Sequence, residues 1–114
     1  MPVELVNRVA SSLKPNDHPY MNGAWTPSHD EFNATGLEVI GEVPADIDGV
    51  YVRNTENPVH PALEIYHPFD GDAMVHVVGF RGGKAFYRNR FVRTDGFVAE
   101  QEAGRPLWAG LAED

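Results

Sequence analysis

Between residues 74 and 94 the chain alternates in steps of two, the spacing of strands with unlike faces. Met74, His76, Val78 and Phe80 share one face of the first run. In the second run, Lys84 to Thr94, Ala85, Tyr87, Asn89 and Phe91 oppose Phe86, Arg88, Arg90 and Val92. Arg81-Gly82-Gly83 lies between them, with two glycines free to take positive φ, so the pattern predicts a β-hairpin. Upstream, Leu37, Val39, Gly41 and Val43 alternate with Glu38, Ile40 and Glu42, which predicts a strand broken by Pro44-Ala45-Asp46. Gly49 to Arg53 reads as a further short strand, and Asn54 to Pro68, with three prolines, as a loop.

The remaining stretches carry weaker patterns. Val3, Val6, Val9, Ala10 and Leu13 fall near helical spacing, so residues 3–13 read either as a short amphipathic helix ended by Lys14-Pro15 or as a frayed arm. Residues 15–36 are rich in Pro, Asn, Gly, Asp and His and read as an irregular arm lying against something else. A helical turn or two fits Val98–Ala103, followed by loop through Gly104-Arg105-Pro106 and Leu107-Trp108. About four strands and little helix give a mostly β fold too small to close a sheet on both edges, and exposed edges are a liability. No internal repeat of blade length is present. The domain reading is an N-terminal helix or flexible arm over 1–17 and one incomplete β portion over 18–114.

Composition narrows the function. The 114 residues carry a formal net charge of −8, against a phosphate-tracking basic surface and so against nucleic-acid binding. With no cysteine there is no disulfide framework, zinc-thiolate site or thiol nucleophile. That absence fits a cytoplasmic, bacterial-type enzyme, and the first seventeen residues hold no apolar run of signal or membrane-span length.

The five histidines, His18, His29, His60, His67 and His76, invite a metal site, but no pair sits at helical i, i+4 spacing and no HExxH occurs. A lone strand histidine such as His76 is more often a hydrogen-bonded interior residue than a ligand. A small metal-binding domain, resting on the histidine count alone, ranks last. Asp46-Ile47-Asp48-Gly49 and Asp70-Gly71-Asp72 lack calcium-loop oxygens at the fifth position and read as turns. No serine occupies a nucleophile elbow, and Gly82-Gly83 opens no helix that could cradle phosphate. Arg88, Arg90 and Arg93 read as structural partners for carboxylates.

Ordered motifs carry the reading further. Gly49-Val50-Tyr51-Val52-Arg53-Asn54-Thr55-Glu56-Asn57-Pro58 resembles the "GxYxRNGPNP" segment of carotenoid cleavage oxygenases. Tyr66 to His76 is similar to that family's "YHWFDGDGMVH", and Tyr87 to Thr94 to its "YxNRFVRT". His18 to Gly23 and Val43 to Gly49 resemble "NPYLxGN" and "IPxDLDG". The resemblance runs over residues 18–112 in the family's order and spacing.

It implies the first blade and N-terminal arm of a seven-bladed β-propeller. It also implies a non-haem Fe(II) dioxygenase that splits a conjugated C=C bond of a carotenoid or apocarotenoid into two carbonyls, with a polyene and O₂ as partners. The family's four iron-ligating histidines lie beyond this segment, and His76 matches none of them. No catalytic or metal residue is therefore carried over, no iron is expected on this segment alone, and the chain by itself is expected to be inactive. Phe69 matches an aromatic that faces the substrate cleft in stilbene-cleaving members, and is the one substrate-contact candidate. Those members place a tyrosine near the position of Leu111, which offers no hydroxyl here and favours an apolar polyene. A stilbene-cleaving oxygenase, and a non-catalytic fragment that binds or oligomerises, are the alternatives. Thr55-Glu56 stand where the family has Gly-Pro, which predicts a changed turn, and Ala73 replaces a glycine.

Overall fold

In the computed structural model, residues 2–14 and 18–113 are described. Among them, five strands form one antiparallel sheet: β1 (Val3–Arg8), β2 (Asp30–Ala34), β3 (Gly49–Asn57), β4 (Asp72–Arg81) and β5 (Lys84–Phe91), in the spatial order β1-β2-β5-β4-β3. Two 3₁₀ turns, Pro19–Met21 and Gly23–Trp25, and one helix, α1 (Asp95–Ala103), complete the elements. The mostly β expectation holds.

The hairpin forms as its pattern predicts. Met74 pairs with Phe91, His76 with Asn89, Val78 with Tyr87 and Arg81 with Lys84, so the expected residues share a face. Gly82 and Gly83 take φ of 57° and 76°, the left-handed conformation a two-residue turn requires. Two phenylalanines then anchor the helix: Phe97 is buried and stacks on Phe91 with ring centroids 5.3 Å apart. Thr94 caps α1 by accepting from the Phe97 N–H at 3.0 Å, and Gly104 ends it at φ 70°. The helix thus starts three residues before the expected turn at Val98. The core, Val9, Val59, Met74, Phe91 and Phe97, sits where this helix meets the sheet.

Four expectations are corrected. Val3–Arg8 is a strand, not a helix, because the backbone of β2 supplies ladder bonds that outweigh a weak helical stripe. Pro15, on which the expected helix end falls, lies outside the described residues. The 15–36 arm contains β2, tied to β1 along its length and in ladder register with β5 at Asn33 and Ala34. Leu37–Val43 is no strand: Gly41 turns the backbone at φ 98°, Ile40 is fully exposed, and only Leu37 N–H reaches the sheet, at Ala85 O. Finally, Thr55-Glu56 makes no turn. β3 runs on to Asn57, with Thr55 opposite Met74 and Glu56 opposite Ala73.

Candidate functional site

Two loops singled out by sequence come together beside the core. The 58–72 loop and the segment after α1 are stitched by carboxylates that accept backbone N–H groups. Asp70 accepts from His67 and Leu111 at 3.0 and 2.9 Å, and Glu113 accepts from Gly110 and Ile65 at 2.9 and 3.1 Å. They enclose a cavity of about 270 Å³, whose lining includes His60, Tyr66, Asp72, Glu100 and Trp108. Phe69 stands at its rim, 74% exposed, its ring edge-on to His67 at 4.9 Å. Leu111, 66% exposed, is tied to the Phe69 loop by its N–H, which Asp70 accepts. The structure thus links the two segments that carry these positions, 42 residues apart in sequence.

The cavity is acidic, and its Asp72 and Glu100 carboxyls are half-buried. Burial pushes the Asp72 carboxyl up, offset in part by the Val59 N–H that it accepts at 3.2 Å. Burial, and then the neighbouring Asp72, push Glu100 up. His60 Nδ1 pairs with Ser12 Oγ at 2.6 Å, while its Nε2 is buried with no hydrogen-bond partner among the described residues.

The histidines are dispersed into separate local roles. His18 Nδ1 accepts from Tyr20 N–H at 3.1 Å, His67 Nδ1 accepts from Phe69 N–H at 3.0 Å, and His29 Nε2 donates to Pro58 O at 2.9 Å. His76 makes the hydrogen bonds expected of it, through Nε2 to Thr55 Oγ1 at 2.9 Å and Nδ1 to Tyr87 Oη at 2.5 Å. Among the described residues no three His, Cys, Asp or Glu side chains converge on a point where they could hold a metal. This donor set does not fit a four-histidine iron site.

Of the three arginines, only Arg93 pairs with a carboxylate: it clamps the Glu31 side chain, Nη1 to Oε2 at 2.9 Å, with a second contact to Oε1. Arg90 donates to Asn33 Oδ1 at 2.7 Å and to backbone carbonyls, and Arg88 lies over the Phe86 ring at 5.2 Å. This corrects the carboxylate reading for Arg88 and Arg90: the first guanidinium is taken up by an aromatic ring and the second by an amide and backbone carbonyls.

Sequence reasoning missed the buried polar residues that hold the frame. Asn57 Oδ1 accepts from Ser28 N–H at 2.9 Å while its amide donates to Ser28 O. Asn89 does the same for β2, accepting from Phe32 N–H at 2.7 Å and donating to Asp30 O at 3.0 Å. The available signal was Asn89 itself, a polar residue on the face shared by Tyr87 and Phe91. Glu31 gave no local signal, since its partner Arg93 is 62 residues away.

Solved structures of a lignostilbene dioxygenase and an apocarotenoid oxygenase share this frame. A lignostilbene dioxygenase from Pseudomonas brassicacearum superposes with a TM-score of 0.79 at 33% identity, over 86% of this chain and 21% of that one. The Synechocystis apocarotenoid oxygenase does so with a TM-score of 0.67 at 34% identity, over 75% and 18%. By sequence, the carotenoid cleavage oxygenase of Mycobacterium tuberculosis is 47% identical over 98 residues, 82% of this chain and 19% of that protein. The profile of the family described as retinal pigment epithelial membrane protein matches residues 25–114. The chain belongs to this carotenoid oxygenase family. It spans about a fifth of the length of the relatives it matches, and the sheet corresponds to part of their propeller fold. No helix among the described residues is long and apolar enough to cross a membrane.

Proposed function

We propose that this chain is the N-terminal part of a non-haem iron dioxygenase that cleaves a conjugated C=C bond of a carotenoid or apocarotenoid. Both atoms of O₂ end in the two carbonyl products. The observation that carries this reading is the 47% identity to a carotenoid cleavage oxygenase. The iron and its ligands belong to the rest of such an enzyme, and the 114-residue chain alone is inactive. Phe69 is the proposed substrate contact: a large aromatic left exposed on a loop fixed by Asp70 costs nothing to bring against an apolar ligand. The proposed location is the cytoplasm.

A stilbene substrate is the second reading, favoured by the superposition on a lignostilbene dioxygenase. Leu111 weighs against it, since its side chain offers no hydroxyl to a phenol.

A graft tests the proposal. Residues 18–114 replace the matching segment of the Mycobacterium tuberculosis enzyme, and products are separated chromatographically. The graft is expected to release apocarotenal products, and the 114-residue chain alone none. A folded, iron-loaded graft that cleaves only stilbenes, or an isolated chain that turns over an apocarotenoid, overturns the assignment.

A further inference from the structure

His76 ties three strands together. It lies on β4, its Nε2 meets Thr55 Oγ1 on β3, and its Nδ1 meets Tyr87 Oη on β5. Thr55 also donates to Met74 O at 3.3 Å. That leaves its oxygen to accept from a His76 Nε2–H, and leaves Nδ1 to accept the Tyr87 hydroxyl proton. The arrangement is complete with a neutral imidazole. The hydroxyl that completes it comes from Thr55, one of the positions where this chain departs from the family motif.

A positive charge sits directly opposite. In the β3–β4 register Arg53 is the partner of His76, on the same face. The neutral groups around the ring are Thr55, Tyr87 and the opposed Asn89. Glu56 lines the same cleft, of about 480 Å³, together with Trp25 and Ser28. Its place in the strand alternation puts it on the other face from Arg53. β3 is the sheet's edge strand, bonded only to β4, and Val50, Tyr51 and Val52 are all more than half exposed.

We propose that His76 is an acid-sensitive latch on β3: neutral, it holds the edge strand, and protonated, it sets two cations opposite each other and lets the strand go. Like charges directly opposite on paired strands repel, and among the described residues β3 pairs with β4 alone. Burial first, and then Arg53, hold the His76 ring below the ordinary imidazole value. The sign follows. A histidine depressed in the folded state gives stability that is present above the unfolded value of about 6.5 and is lost as pH falls through the folded one. The strand released carries Arg53 and one wall of the cleft facing Trp25.

Amide hydrogen exchange on the 114-residue chain, corrected for intrinsic rates, tests this, with the His76 ring followed by NMR. As His76 protonates, protection of Val50–Asn57 should fall roughly two- to fivefold more than that of β5, the range of one cross-strand charge pair. Arg53→Gln should raise the His76 titration point and remove most of that difference, and Arg53→Glu should reverse its sign. The proposal is overturned if Arg53→Gln leaves the acid response unchanged or if β3 and β5 lose protection together. It is equally overturned if β3 is unprotected already at neutral pH.

Discussion

Glu31 is 1% exposed and still charged, which is tolerable only because its carboxylate is fully used. Arg93 clamps it, Phe91 N–H donates at 2.8 Å and Asn7 at 3.1 Å. The Arg93 hydrogen bond, working against burial, holds the carboxyl down at about 2 from an ordinary 4.5. A depressed carboxylate stabilises the fold above its unfolded value, and that stability is lost as pH falls from about 4.5 toward 2. The shift sets a ceiling of about 3 kcal/mol, reduced by solvent because the Arg93 side chain is 45% exposed. Urea midpoints measured at neutral pH and near pH 3 should fall steeply for the native chain and less for Glu31→Gln. The variant should start about 1–3 kcal/mol lower at neutral pH, from the weakened buried pairing. Equal pH slopes for the two would remove Glu31 as the cause. At this scale the sequence was readable where a residue's role is set by its neighbours in the strand, as for His76. It was unreadable for Glu31 and Asn57, whose partners lie up to 62 residues away.

Among the elements, the hairpin shows why local pattern sufficed. Gly79 faces Phe86 across the β4–β5 ladder, and a Cβ on Gly79 would come within 2.0 Å of the Phe86 ring. The ring fills the space a side chain would need, and Arg88 covers it. Gly79→Ala should therefore cost about 1–3 kcal/mol, as overpacking does. Combined with Phe86→Leu, the second change should recover part of that cost, a coupling that a double-mutant cycle reads from urea melts. Additive losses would mean that the ring simply swings clear. The hairpin, with its two-glycine turn, was legible because its alternation and its turn agree. β1 and β2 were not, since each exists by pairing with the other. The 37–43 alternation misled for the opposite reason: it has the period of a strand but no partner ladder to join.

For the molecule as a whole, 51 × 26 × 22 Å is an elongated shape. Its radius of gyration is 16.5 Å, against about 13 Å for a compact domain of this length. The buried core of five residues lies at one end of the sheet, and apolar side chains on both edge strands, Leu5 and Val6 on β1 and Val50 to Val52 on β3, stay exposed. Such surface is covered by other protein or drives association. The 114-residue chain is expected to associate as concentration rises and to bind an apolar dye at neutral pH. Sedimentation velocity over a wide concentration range checks this, and a strictly monomeric, dye-free chain would contradict it. Sequence by itself determined the strand-rich class, the hairpin, the family and the dispersal of the histidines, because motifs and period-two alternation are local properties of the chain. Only the tertiary structure decided that the first residues pair as a strand, that Thr55 completes a bond from β3 to His76, and that Asp70, next to Phe69, holds the Leu111 N–H. Each of those depends on a partner far along the chain, which no local pattern encodes.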